Sequence, residues 1–144
     1  MSLTNVWMQT PADGLVRADQ VISIEAHPTA GLRGSHTHWL LDVVLTTSVG
    51  SGVREAWSVT ALHRTLAQTE LAPRGASVAL ARLLAQLDGI SAAGVVNVEK
   101  ENPDALSAGP AEGLTTSAGG LRFRFLPFPA PAHRADADRD GEYL

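Results

Sequence analysis

Two histidines stand one residue apart in His36-Thr37-His38. On an extended strand both rings project from the same side, about 6.6 Å apart, a spacing that a zinc-like ion can bridge. Such a site needs a third ligand. His27, together with Glu25, falls on the polar side of a neighbouring strand and is the remaining candidate. His63 is expected on the opposite face, and Asp42 lies about 13 Å along the strand from His38, so neither is expected to join. Metal ligation by His27, His36 and His38 competes with a plainer reading, in which polar histidines mark the end of a strand beside a loop.

A second constellation lies in Asp136-Ala137-Asp138-Arg139-Asp140-Gly141. Its alternating carboxylates match the first three side-chain ligands of a calcium loop of the EF-hand type, and Gly141 matches the sharp-turn glycine. The similarity extends over about seven residues. It lacks the bidentate glutamate at the twelfth position, and the preceding Pro-rich PFPAPAHRA supplies no entering helix. A solvated, disordered charged tail is the expectation there, with Asp136, Asp138 and Asp140 the only calcium candidates.

Other reactive arrangements are missing from the sequence. It has no cysteine, so disulfides, thiolate metal sites and cysteine nucleophiles are excluded. No G-x-S-x-G elbow, dinucleotide fingerprint or P-loop occurs, and no cofactor is implied. Carboxylates such as Asp13 and Asp19 sit in turn and loop contexts, where solvated charge is the ordinary reading. A non-enzyme is therefore expected.

Composition limits the partners. The formal net charge is −4, and ten of the eleven basic residues are scattered arginines, Lys100 being the lysine. A nucleic-acid surface needs clustered cations, which this chain does not offer. That arginine bias, with abundant Ala and Gly, fits a GC-rich bacterial genome. No apolar run approaches the roughly 18 residues of a membrane span. The first residues, MSLTNVWMQT, carry neither a basic cluster nor an apolar signal core, so a cytoplasmic product is expected.

The elements that would position these residues are legible as an α+β pattern. Val6-Trp7-Met8 reads as a short strand, and Pro11-Ala12-Asp13-Gly14 as a turn, because Pro presets φ and Gly accepts the left-handed region. Beyond Val21, Ile22, Ile24 and Ala26 alternate with Ser23, Glu25 and His27 until Pro28 stops the pairing. His38 to Val49 is the clearest strand. A hairpin tip at Gly50-Ser51-Gly52 would set Leu45 opposite Trp57 and Trp39 opposite His63, with Trp39 and Trp57 on the core side. Residues 64–72 lean to strand.

A helix is expected over 76–88. Ala76, Leu80, Leu83, Leu84 and Leu87 share one face, and Gly89 is placed as a C-terminal cap. Val95 to Glu99 reads as a strand, residues 101–120 as a flexible loop, and Leu121 to Phe128 as an additional strand docking on its own or a neighbouring sheet. The expected fold is an antiparallel sheet of about four to six strands in hairpin order with one amphipathic helix on its apolar face. A half-open barrel or a pleckstrin-homology-like sheet is an alternative layout. Residues 1–100 form the α+β domain and 129–144 the tail.

Function follows only as a class. A patterned fold without a reactive constellation points to a small bacterial or phage-type binding or assembly module, acting through a protein partner or self-association. Leu121, Phe123, Phe125 and Phe128 are the expected interaction residues, because an isolated apolar strand after a loop must dock somewhere. The alternative is a metal-binding protein or metal-dependent enzyme centred on His36 and His38.

Overall fold

Alternating apolar residues in this chain become strands that hide one side, and one leucine-rich stripe becomes a helix that covers them. A computed structural model describes residues 3–11, 14–29, 37–46, 62–102 and 114–130. β1 (Val6–Thr10) and β2 (Gly14–Arg17) form a hairpin in which Thr10 opposes Gly14. After a 3-10 turn at Ala18–Gln20 come β3 (Val21–Pro28), β4 (Trp39–Leu45) and β5 (His63–Thr69). Helix α1 (Ala76–Gly89) precedes β6 (Gly94–Lys100), β7 (Thr115–Ala118) and β8 (Leu121–Pro127).

The architecture is α+β, with one helix and mostly antiparallel strands. The strands fall into two sheets rather than one: a five-stranded sheet in the order β2-β1-β6-β8-β7 and a three-stranded sheet β3-β4-β5. β1 and β6 pair in parallel, and the other pairings among described residues are antiparallel. Among the described residues no helix is long and apolar enough to cross a membrane.

Both sheets and the helix feed one core. Val6 and Met8 from β1, Val96 from β6 and Leu121, Phe123 and Phe125 from β8 meet Leu41, Val43, Leu45 and Leu66 from the smaller sheet. The helix adds Ala76, Ala79, Leu80, Leu83, Leu84 and Leu87, the expected stripe with Ala79 included. α1 touches β7 and β8 on one side and β3 on the other, so it closes the core between the two sheets. β8 is thus an interior strand of its own sheet, flanked by β6 and β7.

Four differences from the sequence reading have physical causes. The Leu15–His27 stretch breaks at Ala18–Gln20, and a bulge between Val21 and Ser23 shifts the parity of β3. Val21 and Ile24 therefore pack against the core, whereas Ile22, expected beside Ile24, is 66% exposed. The second difference concerns β4 and β5. Trp39 opposes Thr69 and His63 opposes Val44, so His63 does not stand across from Trp39. This register brings Leu66 and Ala67 into the core with Leu41, which the three-residue tip would not. The Gly50–Gly52 tip and Trp57 lie outside the described residues.

The third is β7, which falls within the stretch expected as loop. Gly119 and Gly120, both with positive φ (61° and 77°), form a tight turn that sets Ala118 opposite Leu121. Gly119 also abuts the backbone of Pro73, where a Cβ has no room. The fourth is the helix end: Gly89 is the last helical residue, Ile90 is the cap, and the left-handed residue is Ser91 (φ 50°).

Candidate functional site

A charged residue inside the apolar run Trp39-Leu-Leu-Asp-Val-Val-Leu45 needs partners, and the three-stranded sheet supplies them. Asp42 is 4% exposed. Strand alternation places it on the side of β4 away from Leu41 and Val43, beside Glu25 of β3 and Thr65 of β5. Oδ1 accepts a hydrogen bond from Thr65 Oγ1 at 2.7 Å, and Oδ2 lies 2.6 Å from His27 Nε2. His63 Nδ1 stands 3.9 Å from the same Oδ2. One carboxylate thereby ties all three strands together.

The surroundings of His27 favour its charged form. Its pKa is raised above the ordinary histidine value, first by the side-chain bond to Asp42 and then by the Asp42 charge, the Pro28 carbonyl and Glu25, while burial opposes the rise. Nδ1 lies 3.4 Å from the Pro28 carbonyl oxygen, so both ring nitrogens face oxygen acceptors. A general base must direct a free nitrogen at a substrate proton. This ring does not, and the group acts as a clamp between β3 and β4.

Two of the three expected metal ligands lie among the described residues. His27 turns to Asp42, His38 is half-buried with its backbone N–H donating to Thr29 Oγ1, and His36 lies outside the described residues. Among the described residues no group of three His, Asp or Glu side chains could hold a metal ion. Asp136, Asp138 and Asp140 also lie outside them. The sequence reading set Asp42 aside as too far along the strand from His38, and His63 as facing the other side; the structure joins Asp42 to His27 and brings His63 to the same carboxylate. A lone Asp amid an apolar strand was the available signal; the register that identifies its partners was not.

The expected interaction strand is core instead. Leu121, Phe123 and Phe125 are buried between the sheets, and Phe128 is half exposed, its N–H donating to the Ala93 carbonyl. Among the described residues β3, like the other edge strands β2, β5 and β7, pairs with one neighbour, in its case β4. Thr29 N–H donates to the His38 carbonyl at 2.7 Å. Bonded and unbonded positions alternate along an antiparallel ladder, so Ser23, Glu25 and His27 turn their backbone groups toward β4. Ile24 and Ala26 turn theirs outward, and among the described residues no backbone group meets them there.

A groove of about 530 Å³ runs beside that edge. Its strand wall is Val21, Ile22, Ser23 and Ile24, four residues in succession. Ile22, the extra residue of the bulge, stands exposed beside the groove, while Val21 and Ile24 lean toward the core. The other wall is α1 from Ser77 through Val78, Ala81 and Ala85 to Asp88. That is about three turns, roughly 16 Å, the length of about five extended residues. Ile22 and Val78 are its exposed large apolar side chains.

Compared with known protein families, curated proteins and solved structures, the chain matches none of them.

Proposed function

We propose that the protein is a non-catalytic binding module that takes an extended polypeptide segment as an added strand on β3, beside α1. The observation that carries this reading is an eight-residue edge strand whose outward groups at Ile24 and Ala26 meet no backbone partner among the described residues, bordering a groove whose far wall is a helix. Main-chain hydrogen bonds along the edge supply affinity, and the apolar groove reads alternate side chains of the incoming segment. The His27–Asp42–Thr65 clamp fixes β3 against β4 and β5 before the segment arrives, which lowers the ordering cost of binding. The segment belongs to a protein partner or to a second copy of this chain; light scattering of the full chain distinguishes the two.

Panning a random-peptide phage library against the full chain tests the reading. Enriched peptides should perturb the backbone amides of Ile24 and Ala26. They should lose binding to an Ala26→Pro variant, which removes an outward N–H that β4 does not use and so leaves the fold intact. Failure to enrich peptides at this edge, or full binding to Ala26→Pro, contradicts the proposal. Stoichiometric zinc, nickel or manganese in the purified protein, lost in a His36→Ala/His38→Ala double variant, would favour the metal-binding alternative instead.

A further inference from the structure

Leu121, Phe123 and Phe125 enter the core, so strand alternation turns Arg122 and Arg124 of β8 to the opposite face of the five-stranded sheet. On that face Arg124 stands level with Asn97 of β6 and Thr115 of β7, and Arg122 with Glu99 and Ser117. Thr115, Ser117 and Glu99 are exposed, so the face meets solvent around the two arginines. Both arginines are half-buried, yet neither side chain makes a hydrogen bond or ion pair among the described residues, not even with Glu99. Arg17, by contrast, is held by Asp19 at 2.6 Å. Two neighbouring guanidinium groups without an acceptor leave their charge-assisted hydrogen bonds unmade.

The chain carries carboxylates at the interval these arginines set. Arg122 and Arg124 are two residues apart, about 6.6 Å along the strand, and so are Asp136, Asp138 and Asp140, which lie outside the described residues. We infer that the segment 136–140 docks in cis on this face, antiparallel to β8, with Asp136 accepting from Arg124 and Asp138 from Arg122. The six steps from Ala130 to Asp136 span up to about 20 Å, as far as the six from Arg124 to Ala130, so the chain reaches back. In that register Arg134 falls level with Leu126, clear of the pair, and Ala137 and Arg139 point away from the sheet. Glu99 beside Arg122 opposes a second carboxylate there, so the Asp136–Arg124 pair is the stronger of the two. The tether makes pairing intramolecular, at an effective concentration on the order of millimolar. Docking covers the arginine pair against other anions, and it is independent of strand addition on β3.

The chain has no cysteine, so a nitroxide attached to Ala137→Cys labels this segment alone. In the full-length protein at low salt, the label should strip intensity from the backbone amides of Thr115, Ser117, Arg122 and Arg124. Amides of α1, on the other side of the sheet, should lose much less. The effect should vanish in about 1 M salt, where the screening length falls to ~3 Å. It should also vanish in Arg122→Gln/Arg124→Gln and in Asp136→Asn/Asp138→Asn/Asp140→Asn. The second variant leaves the sheet untouched and decides the matter should the first fail to fold. No loss at those four amides, or a loss that the triple variant retains, overturns the inference. Intensity loss in unlabelled, isotope-enriched chains mixed with nitroxide-labelled ones would place the segment on a second copy and overturn docking in cis.

Discussion

Asp42 is the residue on which the smaller sheet turns, and its energetics are separable. Replacing it with Ala removes two hydrogen bonds from a buried carboxylate and leaves Thr65 Oγ1 without its acceptor. The expected loss is about 2 kcal/mol in chemical denaturation. Thr65→Val removes a single bond from the same network and should cost about 1 kcal/mol. For His27 the sign follows from its raised pKa. A group whose pKa is higher folded than unfolded contributes stability that is fully present below about 6.5 and is lost as pH rises through the folded value. Thermal stability should therefore fall as pH is raised from just below 6.5 upward, and His27→Gln should flatten that slope. A slope unchanged in His27→Gln would mean that another group titrates.

Among the elements, β3 shows how far local pattern carries. Its polar side Ser23, Glu25 and His27 was readable, whereas Pro28, expected to stop the pairing, stands opposite Trp39, and Thr29 beyond it still bonds to His38. The bulge at Ile22 was not readable, because an extra residue leaves no compositional mark and only pairing with β4 reveals it. The helix was legible almost residue by residue, since a 3.6-residue apolar stripe is a long, redundant signal. β4 and β5 were legible as strands but not in register, because the glycine-flanked tip suggested a short connection. The clamp was lost with that register. β7 was hidden by a Gly/Ala/Ser-rich surrounding, although Gly119-Gly120 is itself a hairpin signal. That turn yields a comparative prediction. Gly119→Ala and Gly120→Ala each force a side chain onto positive φ, at about 1 kcal/mol. Gly119→Ala should cost clearly more, because its Cβ meets Pro73 while that of Gly120 meets open space. Equal losses would show that Pro73 yields.

For the molecule as a whole, two sheets share one core, and this predicts cooperative loss. Phe123 is fully buried where the five-stranded sheet, the smaller sheet and α1 contribute to a single cluster. Phe123→Ala should cost about 3–5 kcal/mol, with both sheets still unfolding in one urea transition. Two separate transitions would mean that the sheets are independent units. The same construction explains why binding is assigned to β3: the five-stranded sheet spends its phenylalanine strand on the core, and β3 is the edge strand that shares a groove with α1. Amide hydrogen exchange on the free, full-length protein tests that assignment most directly. The account predicts slow exchange at Glu25 and His27, whose N–H groups bond to β4, and fast exchange at Ile24 and Ala26, whose N–H groups face outward. Equal, strong protection at all four would show that the β3 edge is already occupied and would contradict strand addition as its function.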